Sequence, residues 1–280
     1  MNSIQRQLKN FRNYCYLRIY CRLRARGNIY EQLKIHAHDK VVIATIAFQQ
    51  PWVIEWLLQM WKLTIHDATL LIADNSKDNT LCEQIKEICV KYGAPYISLP
   101  KNPTRHANRS HAMAMQWVYE NIFLEIQPDI FGFIDHDLIP FRTHSIIEKL
   151  RRQPIYGYFR GGFTDKNGYH AWNLWAGYCF FNFHDVRNIN LNFLYDFSLN
   201  LDTGGMNYHS LYKHLNPKKL HLASSIAKPC SINGYEQYKV QIVDNDWYHI
   251  GSISYNDNLS KKADLVKEIK GKILTFQEFY

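Results

Sequence analysis

Long apolar runs are missing from this 280-residue chain. The most extended, Val41 to Phe48 interrupted only by Thr45, is strand-sized and well short of the ~18 residues that cross a bilayer. No membrane-spanning helix is expected. Glycine and proline are scarce, with 13 and 9 residues, and there is no Ser/Gly linker, low-complexity tract or internal repeat. Collagen-like and linker-dominated chains are thereby excluded. The six cysteines (Cys15, Cys21, Cys82, Cys89, Cys179, Cys230) form no CxxC pair and fall far below the density of a disulfide scaffold. They read as reduced thiols in a cytoplasmic protein, with Cys82 and Cys89 two turns apart on a buried helix face. A secretory leader is not expected, because Arg6, Lys9, Arg12 and Arg18 break up any apolar stretch near the start.

What the chain does have is material for a core. A 46% hydrophobic and 15% aromatic composition over 280 residues can bury enough apolar surface to offset the entropy of ordering. The formal charge of +8 is uneven: residues 1–40 hold nine Lys and Arg against Glu31 and Asp39, and the remainder is close to neutral. Between Ser3 and Arg26 there is no Pro or Gly, and Gly27 supplies a helix stop. Ile4, Leu8, Phe11, Cys15 and Ile19 fall on one helical face, with Arg on most other sides. Two outcomes fit such a helix. It lies on the anionic inner face of a membrane, making residues 1–34 a peripheral membrane contact, or it packs on its own domain with a solvated basic face. Nucleic acid is not the expected partner, since no recognised reading module accompanies the basic arm.

Past the arm the pattern is strand, loop, helix, repeated. Lys40–Ala47 is a β-branched run of the kind buried on both faces of a parallel sheet, and Pro51 opens a helix to about Leu63. A second strand, Ala68–Ala73, leads into the polar turn 74–79 and a helix over Thr80–Lys91. Pro95–Leu99, the loop 101–108 and a helix over Ser110–Ile122 follow, and then strand Ile130–Ile134. Such alternation indicates an α/β fold whose post-strand loops converge along one sheet edge. Beyond Arg142 the alternation stops: a helix over Thr143–Arg152, a strand over Tyr156–Arg160, a turn at 166–168, the aromatic segment His170–Phe183 and a helix starting near Thr203 are expected. The organisation is read as an arm (1–39), one domain (40–260, with halves 40–142 and 143–260) and a C-terminal helix packed on it (261–280).

Asp135-His136-Asp137 is the sharpest chemical signal. Two carboxylates at i and i+2 after a buried strand repel one another unless a cation occupies the site, and hard Mg²⁺ or Mn²⁺ prefers such oxygen ligands together with phosphate oxygens. In isolation Asp-x-Asp is common in solvated loops; its position after the fourth strand raises it above that background.

In VVIATIAF, IADNSKDNT and FGFIDHDLIP, with their order and spacing over residues 40–142, the chain resembles the GT-A fold glycosyltransferases, especially the family 2 group. Looser similarity extends to about residue 255. The resemblance implies a GT-A architecture, a mostly parallel Rossmann-like sheet flanked by helices with a mixed second half. It implies a nucleotide-sugar donor with its base and ribose held near Ala47 and Asp74, with Asp78 a weaker candidate. The competing role for Asp74 is an ordinary turn residue. Asp135 would face the ribose and the metal, Asp137 would hold Mn²⁺ or Mg²⁺, and His249 would complete the metal shell, although a core histidine is the competing role. Asp202 in Leu201-Asp202-Thr203-Gly204-Gly205 would be the base that deprotonates the acceptor, or simply a helix cap. Trp172, Trp175 and Tyr178 would form the acceptor platform, some of them serving as core instead.

One segment departs from the family pattern. Where many relatives carry a glycine-rich stretch, this chain reads Asn102-Pro103-Thr104-Arg105-His106-Ala107-Asn108-Arg109-Ser110-His111. Arg105, Arg109 and His111 are offered there to phosphate or donor sugar. The expected function is metal-dependent, inverting transfer of a sugar to an acceptor hydroxyl, on a saccharide or lipid-linked saccharide, in surface polysaccharide or glycoconjugate synthesis. The alternative is a non-catalytic binding protein of the same shape, attached to a membrane or acidic partner by its arm. A related nucleotidyltransferase would need a Gly-rich, Arg-containing loop after the first strand, and Phe48-Gln49-Gln50-Pro51 offers none.

Overall fold

Strand β1 (Val41–Ala47) is buried at all seven positions, as its near-continuous β-branched run requires of a strand flanked on both sides. The computed structural model describes residues 3–26, 40–251 and 258–280. β1 pairs in parallel with β2 (Thr69–Asp74) and β4 (Ile130–Ile134), and β2 pairs in parallel with β3 (Tyr96–Ser98). Two long antiparallel strands, β6 (Ile155–Thr164) and β7 (His170–Asn182), extend the sheet on the β4 side, giving the order β3-β2-β1-β4-β7-β6. The architecture is thus mixed α/β, with a largely parallel sheet flanked by helices and an antiparallel second half, as expected from the sequence.

The helices Pro51–Thr64 and Asn79–Tyr92 cover one face of the sheet together with the helix Asn258–Leu274, whose Leu265, Val266, Ile269 and Ile273 are buried there. The helix Ala107–Val118, continued by a wider turn at Tyr119–Phe123, covers the other face. A second, antiparallel sheet packs alongside, ordered β5 (Leu138–Pro140), β10 (Trp247–His249), β9 (Lys239–Val243), β8 (Ser225–Pro229). Because β5 starts one residue after Asp137, this sheet grows directly out of the Asp-x-Asp turn.

The arm helix, Ser3–Tyr20, packs on the domain, and it does so through the face opposite its apolar stripe. Leu17 and Tyr20 are 1% exposed, and each contributes about 2 kcal/mol by burial. Polar contacts fix the register: Asn10 Nδ2 donates to Asp196 Oδ1 at 2.9 Å, Asn13 Nδ2 to the Tyr195 hydroxyl at 2.9 Å, and Tyr20 Oη to the Pro100 carbonyl at 3.0 Å. Polar Asn10 and Asn13 point inward because the domain presents hydrogen-bonding groups there, which periodicity of apolar residues does not register.

Three expected helices differ, the first being the arm helix, which ends at Tyr20 instead of running through Arg26. The segment 143–152 forms only the short helix Ile146–Lys149, capped by Ser145. No α-helix starts at Thr203; a 3₁₀ turn, Gly205–Tyr208, takes its place, preceded by Gly204 at φ 85°. A left-handed residue there stops the chain from entering a regular helix directly after Asp202. The expected helix stop at Gly27, with the rest of residues 27–39, and residues 252–257 lie outside the described residues.

Candidate active site

The carboxyl ends of β1, β2 and β4 open into a cavity of about 280 Å³. Its wall includes Phe48 after β1, Asn75 and Lys77 after β2, and Asp135, His136 and Asp137 after β4. The start of the helix Ala107–Val118 contributes Asn108, Ser110 and His111, preceded by Thr104 and Arg105. Trp175 and Ala176 come from β7, Asp202 and Thr203 from the following loop, and His249 from β10.

Asp135, Asp137 and His249 each offer one ligand atom, and these atoms lie within 4.8 Å of one another. His249 Nε2 is 3.5 Å from Asp137 Oδ1. On its other nitrogen His249 meets Gln241 Oε1 at 2.7 Å, and Gln241 Nε2 donates to Ser225 Oγ at 2.9 Å. With the amide so oriented, Gln241 can only accept, so His249 Nδ1 carries a proton and Nε2 is the nitrogen turned toward the carboxylates. Two backbone hydrogen bonds hold the turn: Asp135 N donates to the Gly177 carbonyl at 3.0 Å, and Ile250 N to the Asp137 carbonyl at 3.0 Å.

The charged groups of the site act on one another. Burial pushes the Asp135 carboxyl up to about 7, and the neighbouring Asp137 carboxylate adds to the rise. For Asp137 burial acts in the same upward direction, but His249 beside it more than offsets this and holds it below the ordinary carboxylate value. His249 is raised for the reciprocal reason, Asp137 outweighing burial. His111, whose Nε2 is 3.9 Å from Asp135 Oδ1, is lowered by burial and by His136 to about 4, and so is neutral near pH 7. Two enclosed carboxylates, one of them forced toward its protonated form, with an oriented imidazole beside them, fit a hard divalent cation such as Mn²⁺ or Mg²⁺.

Asp202 is positioned by two donors on the same oxygen: Asn108 Nδ2 at 3.1 Å and the Thr203 amide at 2.8 Å. Gly177 makes room for Asp135: a β-carbon there would fall 2.3 Å from Asp135 Oδ2 and 2.4 Å from Trp175 Cζ2. Trp175 packs edge-on against His249, with ring centroids 4.9 Å apart.

Of the residues singled out in the sequence, Arg105, His111, Asp135, Asp137, Trp175, Asp202 and His249 line this cavity. The others lie elsewhere. Asp74 is fully buried, with Oδ1 accepting from the Ser76 amide at 2.8 Å and Oδ2 from the Tyr96 hydroxyl at 2.9 Å. Ala47 is buried, and its carbonyl accepts from the Asn75 amide. Asp78 caps the helix Asn79–Tyr92. Arg109 turns to the arm, donating to Asn13 Oδ1 at 3.2 Å and stacking over Tyr16. Trp172 packs on Tyr212 and Phe159, whereas Tyr178 donates to Asp244 on the opposite side of the sheet. A register shift between Gly157 and Phe159 separates them, and this bulge in the β6–β7 pair reverses which residues of β7 face which layer. Asn75, Lys77, Asn108 and His136 line the cavity without having been assigned a role from the sequence. Their loops were legible as post-strand segments, but which side chain of each loop turns inward was not.

No protein-family model matches the chain, and no curated protein matches it. Among solved structures, the chain is similar to glucosyl-3-phosphoglycerate synthase from Mycobacterium tuberculosis in complex with Mn²⁺, UDP and glucosyl-3-phosphoglycerate. That similarity has 18% identity, covers 49% of each chain and has a TM-score of 0.30. The complex of the same synthase with Mn²⁺ and UDP-glucose gives 21% identity over 49% of each chain at a TM-score of 0.29. S. aureus TarS gives 13% identity over 42% of this chain and 21% of its own, at 0.29. The chain therefore spans about half the length of the synthase.

Proposed function

We propose that the protein is a GT-A type glycosyltransferase, moving a sugar from a nucleotide-sugar donor to an acceptor hydroxyl with inversion. The observation that carries the proposal is the meeting of Asp135, Asp137 and His249 in one cavity with Asp202, at the carboxyl edge of a parallel sheet. Mn²⁺ or Mg²⁺ would be held by Asp135, Asp137 and His249, and when bound it would draw charge off the departing diphosphate.

The chain's own residues supply the rest. Asn108 and the Thr203 amide hold one oxygen of Asp202, leaving the other to take the proton of the acceptor hydroxyl. As the acceptor oxygen bonds to the anomeric carbon, the bond from that carbon to the diphosphate oxygen breaks and the nucleoside diphosphate leaves. Lys77 and Arg105 lie on the cavity wall and offer positive charge to phosphate. His111, kept neutral by burial, offers hydrogen bonding without charge. Trp175 presents an aromatic face to a saccharide or lipid-linked saccharide acceptor, and surface polysaccharide or glycoconjugate synthesis is the setting that suits such an acceptor.

A panel of UDP-, GDP-, CDP- and dTDP-sugars, incubated with the protein and Mn²⁺ or Mg²⁺, tests the reading through slow donor hydrolysis and calorimetric binding of the free diphosphates. At least one nucleotide should bind only with the cation, and Asp137→Ala should abolish that binding. Failure of every donor and diphosphate to bind or turn over would refute the proposal.

A further inference from the structure

We propose that the outward face of the arm helix docks on an anionic lipid surface. Ile4, Leu8, Phe11 and Ile19 are 67%, 62%, 67% and 64% exposed, and Cys15 between them is also exposed. At 100° per residue these five positions form one continuous stripe. They are not spare core residues, because the helix is already fastened to the domain by its other face, through Asn10, Asn13, Leu17 and Tyr20. Four bulky apolar side chains held open to water in one row mark a contact surface.

Charge identifies the occupant. Residues 3–26 contain seven Lys and Arg and no Asp or Glu. Arg12 flanks the stripe by helical position, as does Arg18, which also pairs with Glu120 at 2.7 Å, and Arg22 and Arg24 continue the exposed basic surface beyond the end of the helix. An apolar row bordered by cations suits acyl chains below a layer of anionic headgroups. A second copy of the chain suits it less, since a twofold contact would set the same cations against one another. Nucleic acid would use the cations and leave the apolar row in water.

The docked face also has a fixed relation to the cavity. Asn13 and Tyr16 of the arm hold Arg109, the neighbour of cavity-lining Asn108. A surface bound by the arm thus sits at a set distance from the cavity, which would favour a lipid-borne acceptor; that last step rests on the proposed sugar transfer, whereas the docking does not.

The test is co-sedimentation of the full chain with phosphatidylcholine vesicles, with and without phosphatidylglycerol, in the absence of any donor. Binding is expected to the anionic vesicles only and to weaken with salt. Leu8→Ser combined with Phe11→Ser should lower it by about tenfold or more at unchanged Tm, and Arg12→Glu combined with Arg22→Glu should do the same without touching the apolar row. Equal or absent binding to both vesicle types would overturn the proposal, as would variants that bind like the parent. A concentration-dependent dimer broken by the Leu8/Phe11 variant would show that a second copy covers the stripe. Retention on duplex nucleic acid that only the Arg12/Arg22 variant loses would equally overturn it.

Discussion

His249 stands beside Asp137 because of strand register: in the antiparallel pair of β10 with β5, His249 lies opposite Leu138, the residue that follows Asp137. The 3.5 Å approach of Nε2 to Oδ1 is therefore set by backbone pairing, and the Gln241 contact at 2.7 Å then fixes which nitrogen faces the carboxylates. Gln241 belongs to β9, where it pairs with His249 across the next ladder. Replacing Gln241 by Leu removes the acceptor and frees the imidazole to change tautomer. Mn²⁺ affinity should fall by about 10- to 100-fold while His249→Ala falls further. Titration calorimetry on the two variants checks this order, and an unchanged affinity for Gln241→Leu would remove the positioning role.

The raised carboxyl of Asp135 has a pH signature. Its folded value, about 7, lies above the ordinary ~3.9, so the folded state favours the protonated form. The associated stability is fully present below the ordinary value and is lost as pH rises through about 7. Without cation, Tm should therefore decline from about pH 4 to 7 more steeply in the parent than in Asp135→Asn. A divalent cation needs the ionised Asp135 carboxylate and a deprotonated His249 Nε2, so its affinity should rise by about tenfold or more per pH unit below 7. Parallel thermal melts with and without Mn²⁺ would show both effects; identical slopes in parent and variant would contradict them.

Gly177 is needed for clearance. A methyl group there would collide with both the Asp135 carboxylate and the Trp175 ring, so one or both must shift. Gly177→Ala should lose about 1–3 kcal/mol of stability, and cation binding should suffer more than stability does. Denaturant titration and Mn²⁺ calorimetry on the same preparation separate the two; a variant that binds Mn²⁺ like the parent would contradict the tight fit.

Much of this arrangement could be read from the chain, and what could not has identifiable causes. The β-branched run at 41–47 and the apolar strand 130–134 are self-evident, and the two aspartates follow from where the second of these ends. His249 was recognisable only by resemblance, because its partnership with Asp137 depends on pairing between segments far apart in the sequence. Trp172 and Tyr178 were grouped with Trp175 because strand alternation gives no warning of the bulge that sends them to opposite layers. Asp74 looked like a ligand-binding turn residue; its two oxygens are instead engaged by Ser76 and by Tyr96 from the neighbouring strand. The inward face of the arm helix was misleading for a related reason. Its inward-pointing groups include two asparagines, whose partners lie 186 and 182 residues away.

One of those partners, Asp196, makes the arm sensitive to acid. Burial would raise it, but hydrogen bonds from His209, Asn10 and the Ser198 amide more than compensate, so its folded value lies below the ordinary one. Its contribution to stability is then present above the ordinary ~3.9 and is lost as pH falls through the lower folded value. Asp196→Ala should cost about 1–3 kcal/mol and should expose the arm to limited proteolysis near Arg6, Lys9 and Arg12 before the rest of the domain. Trypsin digestion at neutral and acidic pH, followed by mass spectrometry, reads this out; arm cleavage no faster than in the parent would contradict it.

The β5–β10 pairing also dictates when during synthesis the three donor groups can meet. A nascent chain that has left the ribosome only as far as β7 already carries both aspartates but lacks the histidine. Until β10 emerges and finds β5, a cation has no complete set of donors to grasp. Metal would therefore lock a domain whose two sheets have already joined and give no help to its earliest steps of assembly.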